Sequence, residues 1–316
     1  MIRFIDEHKD GRGGSLRWGI EPIAKTLGIA PQTYHAAKKR PPSARSVRDE
    51  QLKPEIMRIW EENLSVYGAD KIWDQLNKDG IRVARCTVER LMNDLGIQGS
   101  RRGRVFVRTT QADETLDRPA DLVERRFTAS APNHLWLADL TYVKTYAGWV
   151  YVAFVIDAYS RMIVGWQASR SLRADLAIDA LEMAISNRRR QGADLDQLVH
   201  HSDRGVQYLS IHYSQRLADN GIVASVGSKG DSYDNAMIES FNGLYKWELI
   251  HNKGPWTGLE AVEWATLEYV DWFNNRRLHG EITPGPGYNT PSAFEADHYR
   301  QHVSNNQVET QTPEPL

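Results

Sequence analysis

"HLWLADLTYVKTYAGWVYVAFVIDAYSRMIVGWQAS" runs from His134 to Ser169 and holds three consecutive runs rich in aromatic and β-branched residues, the composition of strands. Gly148 and the "YSR" of Tyr159–Arg161 separate the runs, so short turns predict an antiparallel meander. One residue does not fit. Asp139 stands inside the first run, where nothing structural calls for a charge.

The chain after this meander completes the fold. A helix is expected over about Arg173–Arg190, with Leu176, Ala177, Ala180, Leu181, Ala184 and Ile185 on one side. "QLVHHSD" (197–203) reads as a fourth strand ending in a second acid, Asp203. "SIHYSQRLADNG" (210–221) reads as a helix closed by Gly221, and "IVASV" (222–226) as a fifth strand. "GSKGDSYDN" (227–235) is a flexible loop in which Asp234 or Asn235 can cap the next helix. That helix begins at "AMIESFNGLYKWEL" and sets Glu239, Asn242 and Lys246 along one face. Three strands, then helix, strand, helix, strand, helix is the element order of an α/β, ribonuclease H-like domain: a mixed five-stranded sheet with flanking helices. First and fourth strands are neighbours in such a sheet, so Asp139 and Asp203 approach each other.

Upstream, the sequence is helical. "EPIAKTLGIAPQTYHAAKKR" (21–40) has the outline of helix, Gly28 turn, and a second helix opened by Pro31. "RPPSARS" (40–46) reads as a linker. In 47–98, Ile56, Ile59, Trp60 and Leu64 form one apolar stripe. Ile72 and Leu76, then Gly80, then Val88, Leu91 and Leu95 give a second helix-turn-helix, with Arg85, Thr87 and Arg90 at the start of its second helix, where such motifs touch DNA. A three-helix bundle that binds nothing has the same pattern. "GSRRGRVFVR" (99–108) carries Arg101, Arg102 and Arg104 and suits an arm along a phosphate backbone, or equally a solvated linker. The domains expected are a lead-in at 1–46, a DNA-binding helical domain with basic arm at 47–108, a linker at 109–132, the catalytic core at 133–252, a helical extension of it at 253–302, and a disordered tail at 303–316.

Bulk properties exclude several classes. The longest apolar run, Trp149–Ile156, is far too short to span a bilayer. The charged, Gly-rich start is no signal peptide. A single cysteine, Cys86, rules out an internal disulfide framework, and a cytoplasmic setting follows. The formal net charge of −2 hides an asymmetry: residues 1–128 carry a net +5 and residues 129–316 a net −7. That division suits a polyanion-binding half joined to one that collects carboxylates; solvated faces of unequal sign produce it equally well.

Taken singly, Asp139, Asp203 and Glu239 are ordinary strand and surface residues. Together they are three carboxylates facing one another, which repel unless cations intervene. Such a cluster is costly to fold and suited to Mg²⁺, a hard ion that takes oxygen ligands. His200 and His201 flank the second acid, but one is expected to point into the sheet, and metal ligation by them is disfavoured. Asp157 reads as a turn residue, and Trp136, Trp149 and Trp166 as core. Arg276 and Arg277, in "NNRRLHG", either bind DNA or pack against the core.

These words carry a resemblance. Asp139, Asp203 and Glu239, with 35 residues between the last two, look like the DDE triad of retroviral-integrase-type recombinases. "HSDRGVQY", "SYDNAMIESFNGLYKWELI" and "YVDWFNNRRLHG…TPSAF" are similar to transposases of the IS-three family of bacterial insertion sequences, in the part encoded by the second reading frame (OrfB). The resemblance covers nearly the whole chain. It implies DNA cleavage and strand transfer at insertion-sequence ends with two Mg²⁺ ions, for which Mn²⁺ can substitute, held by Asp139, Asp203 and Glu239. It implies that Lys246 contacts a DNA phosphate and that Asn242 lies on the same DNA-facing surface. It also implies a homo-oligomer acting on DNA in the bacterial nucleoid. The family's full transposase is a fusion whose upstream part adds a leucine zipper. No a/d heptad run is found here, so the chain is expected to be the second-frame product, with OrfA or the OrfAB fusion as partner.

Overall fold

The computed structural model describes residues 1–13, 16–100, 122–123, 128–203, 208, 210–227, 236–282 and 287–309, with no side chains described at 12–17 and 303–309. Arg101, Arg102 and Arg104 and most of the loop before Glu239 lie outside the described residues. The chain divides into two compact units, Met1–Glu55 and Ile56–Leu316.

In the first unit, α1 (Ile2–His8) is followed by the two-residue strands β1 (Arg12–Gly13) and β2 (Leu16–Arg17), then by α2 (Ile20–Thr26) and α3 (Pro31–Lys39). Gly28 takes the left-handed conformation between α2 and α3, and Pro31 opens α3, as the spacing predicts. Ile5, Ile23 and Tyr34 form its small core. The Tyr34 hydroxyl donates to Asp6 at 2.7 Å. Helix α4 (Ala44–Glu62) leads into the second unit.

There α5 (Ala69–Lys78) and α6 (Arg85–Leu95) form the helix-turn-helix. Ile72, Leu76, Val88 and Leu91 are buried, and Gly80 and Gly96 take left-handed conformations at the two helix ends. This segment rests on the C-terminal part of the same unit. The Tyr67 hydroxyl accepts from the Leu278 amide at 2.8 Å and donates to the Arg276 carbonyl at 3.1 Å; the Trp272 indole donates to Asn63 at 3.0 Å.

The sheet contains β3 (Leu135–Thr145), β4 (Gly148–Asp157), β5 (Ile163–Ser169), β6 (Val199–Ser202) and β7 (Val223–Val226), in the order β5-β4-β3-β6-β7. The β3–β4–β5 meander is antiparallel, and β6 and β7 add in parallel. This mixed sheet with flanking helices is the ribonuclease H-like fold expected. Helix α7 (Ala174–Arg190) covers one face through Leu176, Ala177, Ala180, Leu181, Ala184 and Ile185, with α8 (Ile211–Ala218) beside it. The approach of α7 to β5 demands a glycine: a Cβ at Gly165 would meet the Ala180 carbonyl oxygen at 2.1 Å. On the other face, α9 (Ala236–Tyr245), a π-helical turn (Lys246–Ile250), α10 (His251–Lys253) and α11 (Leu259–Asn275) follow one another. There Phe154 packs edge-on against Phe241 and Tyr245. Helix α12 runs from Pro291 to Glu309, past the start of the expected tail.

Two buried ion clusters were not legible in the sequence. Arg188 on α7 pairs with Glu295 on α12 at 2.6 Å and reaches Asp157 at 3.5 Å. Asp157 is also the expected turn residue, accepting the Tyr159 amide at 2.9 Å. Arg277 pairs with Glu248 in the π-helical turn at 2.6 and 2.9 Å, and Tyr269 donates to the same carboxylate. Trp136 and Trp166 are core as expected; Trp149 is not, being 49% exposed. It is the second residue of β4, beside the exposed Tyr146–Gly148 turn, and its ring meets Tyr142 edge-on at 5.2 Å between centroids.

Candidate active site

Strands β3 and β6 pair in parallel only as far as Ala138 and Ser202. The next residue on each chain segment is an acid, so Asp203 leaves the end of β6 next to Asp139, which stays paired with β4 in the middle of β3. Asp139 stands opposite Phe154 on β4, on the face that α9 covers. β6 follows β5 through the crossover helix α7 and adds to β3 in parallel, as expected for a ribonuclease H-like sheet.

Helix α9 supplies the rest of the site. Glu239 lies in its first turn and is exposed. One turn later the buried Asn242 donates its Nδ2 to Asp139 Oδ2 at 2.8 Å. Its Oδ1 is buried with no hydrogen-bond partner among the described residues. One further turn on, the half-buried Lys246 places its Nζ 4.3 Å from the centre of the Tyr142 ring. That is a cation–π contact at the stretch of β3 beyond its pairing with β6.

Electrostatics agree with this crowding. Burial pushes the Asp139 carboxyl well above the usual carboxylate range, and the charges of Asp203 and Glu239 push it further up. The Leu140 amide, at 2.7 Å, and Asn242 pull the other way without prevailing. Burial lowers the Lys246 ammonium, opposed by the negative charge of Asp139. Removing charged groups from water favours their neutral forms, which is the direction taken by both Asp139 and Lys246.

The charges of Asp203 and Glu239, two of the acids predicted from sequence, thus both reach the third, Asp139. Among the described residues no group of three or more His, Cys, Asp or Glu side chains stands close enough to hold a metal ion. The chemistry of the residues nonetheless suits a hard cation: Asp139, Asp203, Glu239 and the unpaired amide oxygen of Asn242 are all oxygen donors. His200 and His201 do not contribute. Both are buried, His200 against the Tyr213 hydroxyl at 3.0 Å and His201 against Ser225 at 2.9 Å. Burial lowers the His200 imidazole to about 3.

Other predicted contacts lie apart from this cluster. Arg85, the first residue of α6, is exposed and pairs with Asp70 at 3.0 Å. Thr87 is half-buried in the first turn, and Arg90 reaches Asp94 at 3.4 Å. Arg276 is exposed beside Asp271 at 3.2 Å. Of the two readings open for Arg277, its burial against Glu248 and the Phe273 ring favours packing. Tyr208 was not singled out from the sequence. It is 4% exposed, and its hydroxyl is buried without a hydrogen-bond partner among the described residues. Its position five residues after Asp203 was the available signal.

Two integrase core domain families match, one over residues 129–232 and the other over 239–298, and an HTH-like domain family matches 47–105. A protein named as the transposase for insertion sequence element IS986/IS6110 in Mycobacterium tuberculosis is 53% identical over 87% of this chain and 98% of its own length. The transposase for insertion sequence element IS629 of Shigella sonnei is 48% identical over 95% of this chain and 97% of its own. Among solved structures, the HTLV-2 integrase catalytic core domain in complex with magnesium aligns at 19% identity and a TM-score of 0.36, over 48% of this chain and 92% of that one. No helix among the described residues is long and apolar enough to cross a membrane.

Proposed function

The chain belongs to the insertion-sequence transposases with an integrase core, and we propose that Asp139, Asp203 and Glu239 are the residues with which it cuts and joins DNA at the ends of its element. The observation that carries this reading is the place of Asp139 in mid-β3, next to Asp203 at the end of β6, where the charges of Asp203 and Glu239 add to burial in raising its carboxyl well above the usual range. Nothing in the packing of the sheet requires like charges near one another there; a cation would account for them.

Asp139, Asp203 and Glu239 would hold Mg²⁺, two ions in the full reading, with Mn²⁺ able to substitute. When bound, the cations activate an attacking oxygen and stabilise the leaving one in phosphoryl transfer. The chain's own residues do the positioning. Asn242 orients Asp139 through its 2.8 Å hydrogen bond. Lys246, held against Tyr142, sets a positive charge beside the site for a phosphate of the DNA end. The start of α6, with Arg85, Thr87 and Arg90, reads the DNA end, and Arg101, Arg102, Arg104 and Arg276 neutralise backbone phosphates. Joining two ends calls for further copies of the chain, acting at the bacterial nucleoid alone or with the upstream-frame product.

The test is cleavage and joining of a duplex bearing one element end, with Mg²⁺ or Mn²⁺. Asp139→Asn, Asp203→Asn and Glu239→Gln are expected to abolish both steps while DNA binding persists. Joining that survives any of the three at the parent rate sinks the assignment.

A further inference from the structure

We propose that the exposed end of the β3–β4 hairpin binds an unpaired base of the DNA: the base stacks on Trp149, and Lys144 and Lys246 hold the flanking phosphates. The inference rests on the reading that DNA is brought to Asp139, and it names where an unstacked part of that DNA is held.

Three observations meet at this hairpin. The first is aromatic surface left in water. Trp149 is 49% exposed, and Tyr146 at the turn is 78% exposed. The contact of Trp149 with Tyr142, at 5.2 Å and 78° between ring planes, is a cross-strand pair, and it leaves about half of the tryptophan uncovered.

The second is charge. Lys144 is exposed and stands directly opposite Trp149 in the β3–β4 register, so the two side chains share a face. Lys246 places its Nζ 4.3 Å from the centre of the Tyr142 ring. Two ammonium groups thus flank two aromatic rings. No Asp or Glu occurs from Leu140 to Ile156, within a half of the chain that is acidic overall. Cations interleaved with aromatic rings are what single-stranded nucleic acid requires: the cations follow the phosphates, and every base offers a face to stack. An apolar protein partner would have no use for the two lysines. A base inside a duplex has both faces covered by its neighbours, so the occupant is one that has left the stack.

The third is position. Strand β6 ends opposite Ala138, so beyond that point this edge of β3 is open. Tyr142 is three residues, about 10 Å, along β3 from Asp139. Alternation starts its side chain on the other face of the strand, but Lys246 reaches its ring from the α9 side. Lys246 follows Asn242 by one turn, and Asn242 bonds to Asp139. Direct contacts therefore join the hairpin to the helix that closes the acidic site. The turn is also held fast: the Tyr146 and Ala147 amides donate to the Trp256 and Thr257 carbonyls at 3.0 and 3.2 Å. A platform fixed in advance loses little freedom when a base lands on it.

The experiment measures binding of the full chain, without divalent ions, to a duplex bearing one element end, either fully paired or with its terminal bases mismatched. The parent is expected to bind the unpaired end roughly ten-fold more tightly. Trp149→Leu is expected to lose that preference and keep its affinity for the paired duplex, whereas Trp149→Phe retains most of the preference. A misfolded variant lowers both affinities together, so their ratio separates stacking from a structural role. A 2-aminopurine at the unpaired position should be quenched on binding the parent, which requires no variant. Absence of a preference in the parent, a preference that survives Trp149→Leu, or an unquenched 2-aminopurine overturns the proposal. So does dimerisation of the parent that Trp149→Leu abolishes without any preference for unpaired ends, which would make the patch a contact between copies of the chain. Asp139→Asn separates this inference from the catalytic reading. If it leaves joining at the parent rate while the preference persists, the catalytic assignment falls and the platform stands. If it abolishes joining while the parent shows no preference, only the platform falls.

Discussion

Asn242 and Asp139 join the helix that carries Glu239 to the strand at the centre of the sheet: the amide Nδ2 of one donates to Oδ2 of the other at 2.8 Å. Asn242 is buried, so its first partner is a carboxylate of the site rather than DNA. It sets the distance between two acids that would otherwise repel. Asn242→Ala is therefore expected to lower the turnover of strand transfer roughly 10–100-fold, with the affinity for the DNA end little changed. A variant that instead weakens DNA binding and leaves turnover intact would return Asn242 to the DNA contacts.

The raised carboxyl of Asp139 makes metal-free stability depend on pH in a defined direction. Its folded-state pKa lies above that of the unfolded chain, about 3.9. The folded state therefore binds the proton more tightly. The contribution of Asp139 to stability is fully present below the unfolded pKa and is lost as pH rises through the folded one. Asp139→Asn removes this dependence. The Tm of the variant minus that of the parent, both metal-free, should be near zero in acid and become positive towards pH 8. Added Mg²⁺ should shrink or reverse the difference, because only the parent gains from the ion. A difference that is flat with pH, read by calorimetry, would refute the account.

Arg277 and Glu248 form a buried pair, and one partner without the other is an uncompensated charge. Arg277→Ala is expected to cost about 3–5 kcal/mol in stability, measured by urea denaturation. Arg276→Ala, at an exposed position with a surface pair to Asp271, should cost less than about 1 kcal/mol. If Arg277→Ala is stable but binds DNA with a shallower salt dependence, the DNA reading of this residue is the correct one.

The helix-turn-helix carries a different signature. Arg85 is exposed at the first residue of α6. A phosphate contact from Arg85 predicts that Arg85→Ala reduces the slope of log affinity against log salt by about 1, evenly across DNA sequences. Loss of discrimination between end and non-end sequences, with the slope preserved, would mark it instead as a base-reading residue. The measurement is a salt titration of binding to both kinds of duplex.

Much of this protein was determined by its sequence alone. Strand-like runs broken by Gly148 and by Tyr159–Arg161 specified the meander, and the alternation that follows specified the parallel additions. Once β3 and β6 are neighbours, Asp139 and Asp203 must adjoin, because both directly follow paired residues. These features are local, or follow from chain order and the handedness of crossovers. The placement of Gly28, Pro31 and Gly80 was legible for the same reason, since each answers a backbone requirement of its own position.

What only the tertiary structure decided is which polar groups are buried, and with whom. Arg188 meets Glu295 across 107 positions and Tyr67 meets Leu278 across 211. Nothing near any of these residues announces its partner. Trp149 has the composition of a core residue and is exposed, because it is the second residue of β4, beside an exposed turn. Asn242 shares a helical face with Glu239 and Lys246, yet it bonds to Asp139, and Tyr208 looks like any core aromatic until its hydroxyl is found buried without a hydrogen-bond partner among the described residues. Periodicity reports which face of an element is apolar. The energy of a buried charge or hydroxyl depends instead on the one atom set opposite it, and that atom is chosen by the packing of the whole chain.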